Sequence, residues 1–104
     1  RYISVTGVQT CALPIFNYAS YALLTHMIAQ VCGYSVGELI VSTGDTHIYE
    51  NHITQVKEQL TRQELPLPTL WLNPDIKDID KFTMDDIKLI NYKSHGQLKA
   101  PMAV

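Results

Sequence analysis

Ser42-Thr43-Gly44-Asp45-Thr46-His47-Ile48-Tyr49-Glu50-Asn51-His52 decides how this chain reads, because it sets hydrogen-bonding side chains at the end of an apolar run, Val36 to Val41. A buried strand that emerges at a ligand site has this order. With Gly44 to Tyr49 extended, Asp45, His47 and Tyr49 share one face and Thr46 and Ile48 the other. One face then offers a carboxylate, an imidazole and a phenol to a single ligand. The same spacing also fits a polar strand end leading into a helix, with His47 and Tyr49 satisfied at the surface, and spacing alone favours this plainer reading.

Upstream, Asn17 to Cys32 has the composition of a helix, with Asn17 placed to cap its start and Gly33 to end it. Its apolar residues, Ala19, Tyr21 to Leu24, Met27 to Ala29, Val31 and Cys32, spread round the whole circumference. Such a helix belongs in the middle of a larger protein, and the remaining elements are too few to cover it. His26 has no partner at i+4 and reads as a buried, satisfied histidine rather than a ligand. Val36 to Val41 reads as a short strand.

Downstream, Asn51 is placed to cap a surface helix in which Ile53, Val56 and Leu60 recur at i, i+3 and i+7. Leu65-Pro66-Leu67-Pro68 ends it, because proline lacks the donor and biases its predecessor toward extended backbone. Thr69-Leu70-Trp71-Leu72 reads as a strand, Asn73-Pro74-Asp75 as a turn, and Ile87 to Tyr92 as a last strand with Ile87 and Leu89 on one face. The adjacent Asp85 and Asp86 would face opposite ways in extended chain, so they read as a turn and not a catalytic pair. The terminus from Lys99 to Val104 is of a kind that frays.

At 104 residues, 46% apolar and a formal charge of -2, the chain is one domain at most and lacks the basic face of a nucleic-acid binder. No apolar run is long enough for a bilayer span, and the first residues lack the order of a signal peptide. Cys11 and Cys32 form neither a disulfide framework nor a metal-ligand spacing, so no metal is expected and a reducing cytoplasm is the natural setting.

Four stretches, Phe16-Asn17 with Ala19 to Ala29, Gly44-Asp45-Thr46-His47-Ile48-Tyr49-Glu50-Asn51-His52, Leu65-Pro66-Leu67-Pro68 and Lys99-Ala100-Pro101-Met102-Ala103-Val104, occur in an order and at separations that resemble thymidylate synthases. The resemblance covers 16–104 and implies the C-terminal part of such an enzyme. The fold it implies is α/β (α+β): a mixed sheet with a buried central helix, incomplete here. The activity it implies is the reductive methylation of 2'-deoxyuridylate (dUMP) to thymidylate (dTMP), with 5,10-methylenetetrahydrofolate as co-substrate and no metal. By resemblance Asn17 reads the uracil edge, His47 and Tyr49 hold the ribose hydroxyl, and Phe16, Met102 and Ala103 contact the folate. It also implies a homodimer and a terminus that closes over the folate. His95 falls where the family tends to have histidine, with no role assigned.

The departures are large. The Pro-Cys-His nucleophile, the phosphate-clamping arginines and the pterin-binding aspartate are missing, and neither Arg1 nor Arg62 matches a family arginine, so no catalytic residue is assigned and the chain itself is expected to be inactive. Val5 to Ile15 resembles the in-frame translation of a sequencing adapter, which marks 1–15 as non-native and Cys11 as no nucleophile. Two alternatives stand beside the main reading. A deoxycytidylate hydroxymethylase would carry aspartate where Asn17 stands, and a non-catalytic folate- or nucleotide-binding or structural module would have to cover the apolar helix itself.

Overall fold

The computed structural model describes residues 13–101, the first three by backbone alone. The expectations for Met102 and Ala103, for Cys11 and for most of 1–15 lie outside the described residues. Chain contacts divide the protein into two units, one of 1–20, 40–64 and 95–104, the other of 21–39 and 65–94.

Helix α1 runs from Leu13 to Cys32 and crosses from one unit into the other. It starts earlier than the expected cap at Asn17, because Pro14 falls in the first turn, where its missing N–H is no loss and its fixed φ suits the helix. Asn17 is therefore a helical residue and not a cap. The far end closes as the sequence predicts. Gly33 takes a φ of 72°, its N–H donates to the Gln30 carbonyl at 3.2 Å, and the Tyr34 N–H donates to the Ala29 carbonyl at 2.8 Å. These two bonds form a Schellman motif, in which a left-handed residue lets carbonyls of the last turn find donors. Ala29 is the only buried residue of α1 among those whose side chains are described, while Phe16, Tyr18, Tyr21, Leu24 and Ile28 are exposed. Among the described residues, too few elements surround the helix to cover its apolar circumference.

In the second unit, β1 (Thr69–Leu72) pairs with β2 (Ile87–Ile90) as an antiparallel ladder, Thr69 opposite Ile90 and Leu72 opposite Ile87. The expected last strand stops at Ile90 because Asn91 adopts a φ of 60°, a left-handed conformation that asparagine tolerates and a ladder does not. The turn region is closed by side chains. Asn73 donates from Nδ2 to Asp86 Oδ1 at 2.7 Å, and Thr83 donates to Asp86 Oδ2 from its N–H at 3.0 Å and its hydroxyl at 2.7 Å. Asp86 of the adjacent pair is thus spent on structure. These bonds to Asn73 and Thr83 hold its carboxyl below its ordinary value of 3.8. Lys88 lies 5.2 Å over the Trp71 ring, opposite it in the register. The helix joins this hairpin through Gln30, whose Nε2 donates to the carbonyls of Asn73 at 2.8 Å and Ile76 at 3.0 Å. The class is α/β as expected, and the only ladder among the described residues is this antiparallel pair. Val36 to Val41 is irregular chain instead of a strand, since a strand needs a ladder partner and none of the described residues supplies one.

In the first unit, a 3-10 turn (Glu50–His52) leads directly into helix α2 (Ile53–Thr61). Asn51 sits inside that turn instead of capping the helix; His52 occupies the cap position, with no side-chain capping bond. Segment 95–101 runs back along this stretch. Gln55 Nε2 donates to the Lys99 carbonyl at 3.0 Å, Arg62 Nη1 donates to the Gly96 carbonyl, and His95 Nε2 bonds the Gln63 carbonyl at 2.8 Å. Up to Pro101, the terminus expected to fray is tied down.

Candidate functional site

Chemistry gathers on the stretch between Thr43 and His52. Gly44 and Asp45 bend the chain, and the Thr43 and Thr46 hydroxyls bond each other at 2.6 Å across that bend. Beyond it the backbone is extended at Tyr49, with φ -68° and ψ 146°. Alternation then puts His47 and Tyr49 on one side, and their rings meet edge to face with centroids 5.2 Å apart. Ile48, on the other side, is exposed.

His47 Nδ1 lies 3.2 Å from the Asp45 carbonyl and 3.4 Å from an Asp45 carboxylate oxygen. Both contacts favour the tautomer that carries its proton on Nδ1, which leaves Nε2 as an acceptor. The Tyr49 phenol can donate. An acceptor and a donor on one face suit a sugar hydroxyl, which both gives and takes a hydrogen bond. The Asp45 carboxylate contact itself adds little, since the Asp45 side chain is 94% exposed.

Of the other expected site residues, Phe16 is exposed and Asn17 half-buried on α1. Among the described residues the Asn17 amide makes no hydrogen bond, and no hydrogen bond or ring contact joins it to the His47–Tyr49 pair. The structure therefore brings two of the expected substrate residues, His47 and Tyr49, into direct contact. His26 is half-buried and lines a hollow of about 480 Å³ with Ala29, Gln30, Tyr34, Ser35, Val36, Leu70 and Leu72. It makes no hydrogen bond to a described residue. No group of three His, Cys, Asp or Glu among the described residues could hold a metal ion, and no helix there is long and apolar enough to cross a membrane.

The residue that the sequence did not single out is His52. At 4% exposure it is the buried polar residue of the described chain. Its ring stands edge to face with Tyr49, centroids 5.7 Å apart, and its Nε2 bonds the Pro101 carbonyl at 2.6 Å. The signal was its place three residues after Tyr49, which one helical turn brings onto the same side.

Fold and site together define an α/β protein that pairs an imidazole and a phenol on one face. The comparisons narrow this further: the family profile described as thymidylate synthase matches residues 10–104, and the chain belongs to that family. A thymidylate synthase from Leuconostoc mesenteroides subsp. mesenteroides is 56% identical over 89 residues, which make up 86% of this chain and 28% of that protein. The solved structure of thermostable thymidylate synthase A from Bacillus subtilis superposes with a TM-score of 0.82 at 46% identity, over 86% of this chain and 32% of the other. The chain thus spans less than a third of either relative's length.

Proposed function

We propose that the chain is the C-terminal part of a thymidylate synthase that methylates dUMP to dTMP with 5,10-methylenetetrahydrofolate. The observation that carries this reading is the His47–Tyr49 pair, 5.2 Å apart on one face of a stretch within the matched family span. In this reading His47 Nε2 accepts from the ribose hydroxyl and the Tyr49 phenol donates to it. Asn17 presents a donor and an acceptor to the uracil imide, and a base with the reversed pattern would leave one of them unpaired. Phe16, Met102 and Ala103 contact the folate, the parent enzyme is a homodimer in the cytoplasm, and no metal takes part.

Chemistry in the parent starts when a cysteine thiolate adds to the pyrimidine ring, dividing a difficult substitution into easier steps. This chain carries no phosphate-clamping arginines and no Pro-Cys-His setting for that thiolate, so it binds weakly for want of the first and does not turn over for want of the second. Tritium release from 5-tritiated dUMP in the presence of methylenetetrahydrofolate tests the reading. The chain as it stands should release none, and a version continued upstream to a Pro-Cys-His motif should release it steadily. Release by the 104-residue chain, or none by the longer one, overturns the proposal. Reading the source DNA upstream of the Phe16 codon tests whether 1–15 is foreign.

A further inference from the structure

We infer that His52 is a positioning residue that locks the C-terminal strap, 95–101, to the ring of Tyr49. Three observations converge on it. His52 is buried in a unit whose other described polar residues are half-buried or exposed. Its Nε2 bond to the Pro101 carbonyl, at 2.6 Å, is the strap's last anchor among the described residues. On another side its ring meets Tyr49.

The strap's other anchors lie further back along it. Gln55 holds the Lys99 carbonyl, Arg62 the Gly96 carbonyl, and Gln63 holds His95 through its own carbonyl. Gln55 does so while its Oε1 is buried with no partner among the described residues. His52 differs from these in touching both the strap and a side chain of the hydroxyl grip. A displacement of the Tyr49 ring by a bound hydroxyl is passed through the His52 ring to the carbonyl that immediately precedes Met102. The edge-to-face contact of the buried His52 ring with the half-buried Tyr49 ring transmits such a shift because movement of either ring loses contact area. That Met102 and Ala103 then meet a folate rests on the function proposed above; the locking of the strap does not.

The test is limited trypsin cleavage of the 104-residue chain, comparing the rate at Lys99–Ala100 with that at Lys81–Phe82 in the other unit. His52→Ala should raise this ratio about tenfold, the shift in open population expected for one net hydrogen bond. His52→Gln, which keeps a donor near Nε2, should restore it to within about threefold. Tyr49→Ala should raise the ratio while Tyr49→Phe, which loses only the phenol, should leave it unchanged. A His52→Ala ratio equal to wild type overturns the inference, whether neither site opens or both open together as they would on general unfolding. Failure of Gln to rescue overturns it too. If the cleavage pattern holds but the tritium assay on the longer version fails, the locking stands and the thymidylate synthase reading falls.

Discussion

In the hairpin unit a backbone ladder, Thr69–Leu72 against Ile87–Ile90, is closed by three bonds onto Asp86 and joined to α1 by Gln30. In the strap unit no ladder exists among the described residues. His52, Gln55 and Arg62 instead reach across more than thirty residues to carbonyls of an irregular segment. A ladder repeats, so the loss of one bond is shared by its neighbours. Single side-chain anchors do not repeat, and each loss frees a length of chain. The difference teaches why the candidate site lies on the second kind of structure: a segment held at points can shift with a ligand, and a ladder resists.

Substitutions that touch only one unit would break this contrast or sharpen it. The largest stability effect is expected for Gln30→Ala, which leaves two carbonyls without their donor and should cost the hairpin unit about 2 kcal/mol. Urea unfolding followed by Trp71 fluorescence would show a lower midpoint, with trypsin cleavage at Lys99 unchanged relative to that shift. Next comes Gly33→Ala. A Cβ there meets nothing within 4 Å, so the whole cost is the left-handed backbone at φ 72°, about 1 kcal/mol by the same urea midpoint.

Acid should separate the units more gently. Asp86 titrates below its ordinary 3.8 in the folded chain, so near that pH the unfolded state binds more protons. Its stabilisation is complete above 3.8 and is lost as pH falls through the lower folded value. Trp71 fluorescence should report hairpin loosening only on that acid side, and Asp86→Asn should flatten the dependence. The smallest effect is expected for Lys88→Met, which removes an exposed cation from the Trp71 ring at about 0.5 kcal/mol. A Trp71 emission shift with an almost unmoved urea midpoint would bear this out.

Several elements were legible before any coordinates. Gly33 as the end of α1, the β1 residues Thr69–Leu72, and the shared face of His47 and Tyr49 each follow from backbone rules that act within a few residues. The four motifs likewise carried the family, because their order and separations are properties of the chain itself. What was misread has two causes, a missing ladder partner and an earlier helix start. Val36 to Val41 has the composition of a strand yet lacks a ladder among the described residues, and Asn17 lost its capping role to an earlier turn begun at Leu13–Pro14.

By itself, then, the sequence determined the family, the C-terminal end of α1, the hairpin strands and the shared face of His47 and Tyr49, since each is set by local geometry or by motif order. Only the tertiary structure decided that Gln30 ties helix to hairpin and that the Asp86 carboxylate is held by Asn73 and Thr83. It alone showed that His52 reaches Pro101, forty-nine residues away. Such bonds join atoms whose separation along the chain carries no periodic signal, and they exist only once the backbone between them has folded.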